Sequence, residues 1–168
     1  CVVGAGYVGL TTALGLAELG HDVRCLDRNP ERIASLKKSA VYISEPGMQE
    51  SLESQTLGGR FFPTSSPEEA LVGADAIFVC VDTPQSPTGE ANLSAVNAVM
   101  ADIAKFVLTP ALVVLKSTVP QGTAVGIELN MPDHLKLASN PEFLREGSAM
   151  WDFHNPDRIV IGASAPQV

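Results

Sequence analysis

The feature that most constrains the fold is a glycine-rich turn near the start of the chain. The run Val2-Val3-Gly4-Ala5-Gly6-Tyr7-Val8-Gly9 connects a short apolar segment to an apolar stretch that ends at Gly20. With this spacing, the first glycine permits a tight turn, the second lets the backbone approach a pyrophosphate, and the third lets a helix pack closely. The helix N-terminus then offers free N–H groups to the anion. The residues predicted to lie against the phosphates are Gly4, Gly6, Tyr7, Val8 and Gly9.

An acidic residue downstream supports this interpretation. The next predicted strand ends at Asp27, 18 residues after Gly9, where a carboxylate accepts hydrogen bonds from an adenosine ribose. Arg32 is placed to pair with Asp27 or to reach that ribose. Arg28 would suit a cofactor that carries a phosphate on the ribose 2′-oxygen. Asp27 would repel that phosphate, so the predicted cofactor is NAD. The alternative is a tight turn in an unrelated α/β protein, with Asp27 only capping a helix.

Composition narrows the class of protein. The 168 residues suit one domain, and the net charge of −8 argues against a general nucleic-acid binder. We therefore expect no nucleic-acid partner. We also expect no membrane partner, because no apolar stretch reaches the length of a membrane span. Cys1, Cys25 and Cys80 fall on predicted strands and favour buried thiols in a reducing cytoplasm over disulfides. The histidines lack metal-ligand spacing, so no metal site is predicted.

Helix and strand patterns alternate along the whole chain. Strands are predicted to end at Val3, Asp27, Thr64, Val81, Leu115 and Ala138, with a final extended run over Arg158–Ile161. Helices are predicted over Tyr7–Leu19, Leu93–Phe106 and Thr123–Asn130. Another is predicted to begin at Asn29, a further one to end at about Ser54, and a short one to run from a Ser66/Glu69 capping box to Gly73. This alternation predicts an α/β fold with a Rossmann-type, doubly wound, mostly parallel sheet over residues 1–168.

Three loops at predicted strand ends carry chemical groups. They are Val81-Asp82-Thr83-Pro84, the segment 116–123 and the segment 139–147. Each contains a proline, which fixes φ and makes the preceding residue extended. Because ligands of such sheets bind outside the carboxyl ends of the strands, these loops are predicted to line the site.

Taken together, these motifs resemble the UDP-glucose/GDP-mannose dehydrogenase family. The matching segments are the glycine turn through Leu10, Glu45-Pro46-Gly47, Val81-Asp82-Thr83-Pro84, Ser117-Thr118-Val119-Pro120, Asn140-Pro141-Glu142-Phe143-Leu144-Arg145-Glu146-Gly147 and Pro156-Asp157-Arg158. They follow the family's order and spacing over nearly the whole chain. Within the family, the segments after Ser117 and Leu144 look most like the UDP-glucose 6-dehydrogenase branch.

The resemblance implies a four-electron oxidation of the sugar C6 alcohol to the acid with two NAD⁺. An enzyme cysteine captures the intermediate aldehyde, and a carboxylate activates the water that releases the acid. Glu142 matches that carboxylate, and Thr118 matches a hydroxyl that orders a catalytic water or the substrate. The alternatives are a solvated loop acid and a plain turn hydroxyl. The residues that match the substrate-lining stretch are Glu142, Phe143, Leu144 and Glu146, although Phe143 also fits a core aromatic.

The resemblance also extends the predicted cofactor site beyond the glycine turn. Asp27 and Arg32 match contacts to the adenosine ribose, with a free surface arginine as the alternative for Arg32. The residues expected toward the nicotinamide half are Val81, Thr83, Pro84, Ser117, Thr118 and Glu146.

Parts of the family's machinery have no counterpart in this sequence. The nucleophilic cysteine, the oxyanion-stabilising lysine, the central helical segment and the UDP-sugar-binding domain are expected in a longer protein that forms a homodimer. Alone, residues 1–168 are expected to bind NAD weakly and to turn over nothing. Other hypotheses are a GDP-mannose or UDP-N-acetylmannosamine 6-dehydrogenase and a non-catalytic NAD-binding module.

Overall fold

The computed structural model describes residues 1–164, so the last four residues of the predicted domain lie outside the description. Six strands form one sheet in the order β3-β2-β1-β4-β5-β6, and every neighbouring pair is parallel. The predicted α/β fold with a doubly wound sheet is thereby confirmed. The strands are β1 (Val2–Val3), β2 (Val23–Leu26), β3 (Phe61–Thr64), β4 (Ala76–Val79), β5 (Ala111–Leu115) and β6 (Leu135–Ser139).

Seven helices accompany the sheet within the described residues. They are α1 (Tyr7–Glu18), α2 (Pro30–Lys37), α3 (Met48–Leu57), α4 (Pro67–Leu71), α5 (Ser94–Phe106), α6 (Thr123–Glu128) and α7 (Ala149–His154). Local signals start several of them where the sequence predicts. Asn29 caps α2 by accepting from the Glu31 and Arg32 amides, and Pro30 occupies the first helical position.

The sheet separates two buried apolar clusters. One contains Leu10 and Leu14 of α1 packed with Cys25 of β2, and the other contains Val96 and Ile103 of α5 packed on β4 and β5. Because the central strands are covered on both faces, β4 and β5 contain only apolar side chains, without alternation. The clusters thus fix the strand ends that carry the site.

The C-terminal part of the fold differs from the prediction. The run Arg158–Ile161 is exposed and forms no strand, and only Gly162 makes an isolated antiparallel bridge, to Ser139. The Asn140 side chain donates to the Val160 carbonyl, and Gly162 exchanges two backbone hydrogen bonds with Ser139 at the end of β6. The helix α7 was not predicted at all, since its six residues are too few to show a helical period.

The predicted capping box at α4 is only half formed. Ser66 accepts from the Glu69 amide as expected. The Glu69 carboxylate, however, accepts from the Thr64 hydroxyl at 2.5 Å instead of reaching back to Ser66. The Ser66 amide donates to the same hydroxyl at 3.1 Å. Thr64, at the end of β3, thus takes the place that the sequence assigned to Glu69.

Candidate functional site

The switch in strand order falls between β1 and β4, where the connections leave toward opposite sides of the sheet. A cavity of about 190 Å³ opens at the carboxyl edge there. It is lined by residues at or just after the ends of four strands and by one side of α5. Among them are Gly4, Gly6, Asp27, Arg32, Val81 and Ala95. A ligand crevice at this point is typical of doubly wound sheets.

The first and third glycines of the turn are required by close contacts. Gly4 has a φ of +98°, and a Cβ on it would lie 2.5 Å from the Cys80 carbonyl oxygen. A Cβ on Gly9 would lie 1.7 Å from the Gly4 carbonyl oxygen. Both distances are far below van der Waals contact, so no side chain fits at either position without rearrangement of the backbone.

The second glycine faces open space. A Cβ on Gly6 would meet no atom within 4 Å, and its φ of −73° is available to any residue. Its small size is therefore not needed by the fold itself. Space left open over a glycine at this position fits the backbone approach that a pyrophosphate requires.

The beginning of α1 leaves donors free for such an anion. No side chain caps the helix, and its first intrahelical bond runs from the Leu10 amide to the Gly6 carbonyl. By helix geometry, the amides of residues 6–9 have no acceptor within the helix. These donors and the positive end of the helix dipole together form an anion-binding end.

Asp27 lies at the end of β2, 9% exposed. Its carboxylate accepts from the Ala5 amide at 2.6 Å and from the Asn29 amide at 2.8 Å, and it pairs with Arg32 at 3.3 Å. The predicted pairing with Arg32 is confirmed. The same carboxylate also fixes the glycine turn through Ala5, which adds a structural role to the ribose-binding role that the sequence predicts.

The loops after β4 and β5 meet at the same edge. The Ser117 hydroxyl donates to the Val81 carbonyl at 2.7 Å, and the Thr83 hydroxyl donates to the Thr118 carbonyl at 2.6 Å. These two bonds bring together four of the residues predicted for the nicotinamide half, and no hydrogen bond in the described structure joins Glu146 to them. Pro84 lies in the same loop and is exposed.

The segment after β6, residues 140–148, is here called the β6–α7 loop. Glu142 is half-buried in it and accepts from the Leu144 amide at 2.7 Å. It lines a larger cavity of about 670 Å³ together with Lys116 and Asn140, which are joined by a 3.1 Å hydrogen bond. Burial lowers the pKa of Lys116, while the nearby Cys80 and Glu142 oppose that shift.

This larger cavity collects only part of the predicted substrate site. Phe143 and Leu144 line it beside Glu142, whereas Thr118 and Glu146 are not among the described residues that do. Phe143 is 46% exposed, with the Arg158 guanidinium 4.3 Å from its ring centre. It is therefore not the core aromatic that the sequence left open as an alternative.

Two buried carboxylates to which the sequence analysis gave no role hold the β6–α7 loop. Asp152 accepts hydrogen bonds from the Arg145 backbone amide and guanidinium. The arginine side chain is therefore paired with a residue of α7. These hydrogen bonds hold the pKa of Asp152 well below its usual range. Glu45 accepts from the amides of Gly147 and Ala149. The Glu45-Pro46-Gly47 motif was the only sequence signal for Glu45, and it did not indicate which groups the carboxylate would bind.

None of the cysteines is an exposed, reactive thiol in the described chain. Cys25 and Cys80 are buried, and burial raises the pKa of the Cys80 thiol to about 12. Burial also raises the pKa of Cys25. A nucleophilic thiolate is therefore not supplied by these two residues. Within residues 1–164, no helix is long and apolar enough to cross a bilayer.

The fold and the glycine turn define a dinucleotide-binding domain. Residues 1–168 match the family model described as "UDP-glucose/GDP-mannose dehydrogenase family, NAD binding domain". The chain therefore belongs to the UDP-glucose/GDP-mannose dehydrogenase family, and it carries that family's NAD-binding domain.

Individual relatives agree with this assignment. The UDP-glucose 6-dehydrogenase of Pseudomonas aeruginosa is 44% identical over 99% of the chain, which spans 39% of that protein. A UDP-glucose dehydrogenase from Pyrobaculum islandicum superposes with a TM-score of 0.92 at 42% identity, over 99% of this chain and 40% of that one. A GDP-mannose dehydrogenase from Pseudomonas aeruginosa gives 0.90 at 30% identity, over 99% and 41%. The chain thus spans about two fifths of these relatives.

Proposed function

We propose that this chain is the cofactor-binding part of a longer enzyme that oxidises the C6 alcohol of UDP-glucose to UDP-glucuronate with two NAD⁺ per turnover. The observation that carries the proposal is the shared sheet edge. It holds the glycine turn with its free amides, Asp27 and the acidic loop that contains Glu142. A pure binding module has no use for that acidic loop, so the enzyme is the better hypothesis.

In this proposal the residues at the switch point hold the dinucleotide. The amides of residues 6–9 bind the pyrophosphate, and Asp27 with Arg32 binds the adenosine ribose. NAD bound there would supply the hydride acceptor for the oxidation of the sugar carbon. The proposed neighbours of its half of the cofactor are Val81, Thr83, Pro84, Ser117, Thr118 and Glu146.

The proposed catalytic groups of this chain are Glu142 and Thr118. Glu142 is half-buried and held in place by the Leu144 amide, which suits a carboxylate that takes a proton from the hydrolytic water. Thr118 is exposed at its strand end, so its hydroxyl is free to orient that water or the sugar. Phe143, Leu144 and Glu146 are proposed to line the sugar.

The nucleophilic thiol is proposed to come from the part of the protein beyond this chain. The buried Cys25 and Cys80 are poor candidates for the reasons given above. Residues 1–168 alone are accordingly expected to bind NAD weakly and to show no turnover. The longer protein is proposed to be a homodimer in the cytoplasm.

The direct test is NADH absorbance after UDP-glucose is added to the full-length protein with excess NAD. Two NADH formed per UDP-glucose consumed would support the proposal, and a ratio near one would contradict the two-step oxidation. The same assay with GDP-mannose and UDP-N-acetylmannosamine separates the alternative substrates. NAD binding without turnover of any of the three would favour a non-catalytic module.

A further inference from the structure

Glu45, between α2 and α3, connects two regions that the proposed reaction must keep together. Its side chain is 8% exposed. Its Oε2 accepts from the Tyr7 hydroxyl at 2.8 Å and from the Gly147 amide at 2.9 Å, and its Oε1 accepts from the Ala149 amide at 2.7 Å. One carboxylate thus joins segments that are more than a hundred residues apart in the chain.

The partners of Glu45 belong to the two halves of the candidate site. Tyr7 is the first residue of α1, directly after the open Gly6. Gly147 and Ala149 follow Glu146 and lead into α7. Burial, followed by the Glu45 carboxylate itself, raises the pKa of the Tyr7 phenol. The phenol therefore keeps its proton and serves as the donor.

A second tie comes from the same connecting segment. The Tyr42 hydroxyl donates to the Ala5 carbonyl at 2.5 Å, inside the glycine turn. The residues between α2 and α3 therefore hold the turn at two points, and through Glu45 they also hold the β6–α7 loop. Asp152 independently fixes the loop to α7 through Arg145, but it makes no hydrogen bond to the turn in the described structure.

We propose that Glu45 is a positioning residue that sets the β6–α7 loop at a fixed place relative to the glycine turn. A cofactor on the turn and a sugar on the loop then meet in one reactive geometry. This inference rests on the proposed function, because it assigns Glu45 a part in the same site. Glu45 acts through the turn and the loop and not by touching the reacting atoms.

The decisive variant is Glu45→Gln in the full-length protein. Glutamine offers one acceptor oxygen and one NH₂ group, so whichever way the amide turns, one of the two loop amides faces a donor. Glu50→Gln is the matched control, because Glu50 is an exposed acid on α3. For Glu45→Gln we expect kcat/KM with UDP-glucose to fall about 100-fold, as misplaced groups do, while the Kd for NAD changes less than about threefold.

Tyr7→Phe separates the link from the ordering of the loop. It removes the contacts of the phenol with Glu45 and with the Arg145 carbonyl, each 2.8 Å long, and leaves the two loop amides paired with Glu45. We expect normal hydrogen exchange in peptides covering residues 144–150 but a fall in kcat/KM of about tenfold. A wild-type kcat/KM would mean that Glu45 orders the loop without positioning it against the turn, and the inference would be wrong.

Two further outcomes would overturn the inference. One is that Glu45→Gln shows the same kcat/KM as the control variant Glu50→Gln. The other is a loss of NAD affinity as large as the loss of kcat/KM, which is the mark of general damage. If the wild-type protein oxidises no nucleotide sugar, the proposed function fails, and hydrogen exchange then decides the inference. NAD should slow exchange at 144–150 in the wild type but not in Glu45→Gln, and equal slowing in both would refute positioning.

Discussion

The glycine turn and the β6–α7 loop share one edge of the sheet but are held by different forces. The turn is shaped by steric contacts of backbone atoms, since a Cβ at Gly4 or Gly9 would overlap a carbonyl oxygen. The loop is held by side-chain hydrogen bonds, since Glu45 and Asp152 accept from its backbone amides. The same edge of the sheet thus combines a part held by backbone packing with a part held by side-chain hydrogen bonds.

The largest effect is expected from a change that breaks the steric part. Gly9→Ala places a methyl group 1.7 Å from the Gly4 carbonyl oxygen, so the turn or α1 must move. We expect the free energy of unfolding to fall by about 3 kcal/mol, the upper end for overpacking, as measured by urea denaturation. Gly126→Ala, where a Cβ would meet no atom within 4 Å, is the control. An unchanged denaturation midpoint for Gly9→Ala would show that the close approach is not a constraint.

The next effect concerns the chemistry proposed for the loop. Glu142→Gln keeps the shape of the side chain but removes the basic oxygen. We expect kcat with UDP-glucose to fall about 100-fold or more, the range for loss of a general base, and a covalent enzyme–substrate intermediate to accumulate. Stopped-flow absorbance and intact-protein mass spectrometry measure the two effects. Normal turnover without an adduct would remove Glu142 from the mechanism, and Glu50→Gln serves as the control for loss of charge.

A smaller effect is expected at the glycine that the fold does not require. Gly6→Ala adds a methyl group where no protein atom lies within 4 Å, so stability should change by less than about 1 kcal/mol. The same methyl group occupies the space proposed for the pyrophosphate. We expect the Kd for NAD to rise about tenfold, or about 1.4 kcal/mol, by calorimetry. Unchanged affinity in a folded variant would move the phosphates away from Gly6.

The smallest effect is confined to the loop and depends on pH. Hydrogen bonds from Arg145 hold the pKa of Asp152 well below its usual range, so its contribution to stability is complete above the unfolded value of about 3.9. It is lost only as the pH falls below that value toward the lowered pKa. At neutral pH, Asp152→Asn should therefore show the faster exchange in residues 144–150 that the wild type shows only in strong acid.

The control for this pH dependence is Asp22→Asn. Asp22 is an exposed acid whose contact with Arg60 lies far from the loop. Hydrogen exchange measured at pH 7, and then from about pH 4 down to about pH 2, checks the prediction, because the stabilisation is lost only below the unfolded pKa. Equal exchange rates for Asp152→Asn and the wild type at pH 7 would mean that the carboxylate does not order the loop.

The elements that sequence reasoning found correctly share a local cause. Gly4 needs a positive φ, Asn29 caps the helix that follows it, and the apolar runs of β4 and β5 mark buried strands. Each depends on residues a few positions apart, so its signal is visible in the chain itself. The helix α7 was missed because six residues do not complete two helical turns.

The predicted site divides in the same way. The family's motifs point to the residues of the turn and of the strand-end loops, and the parallel sheet brings those loops to one edge. The motif around Glu45 gave no role, because its partners lie in residues 7, 147 and 149. Arg158–Ile161 forms no strand, and Gly162, which follows it, makes an isolated bridge to Ser139.

The sequence by itself determined the steric part of this protein: where the turn lies, which glycines it needs and how strands and helices alternate. Backbone sterics and hydrophobic periodicity act over a few residues, so they can be recognised from short stretches of the sequence. Only the tertiary structure decided three contacts. Asp27 accepts from the Ala5 amide, Asp152 pairs with Arg145, and Glu45 accepts from both the turn and the loop. A buried carboxylate accepts any donor that the fold brings within reach, and the chain does not specify which donor that is until it has folded.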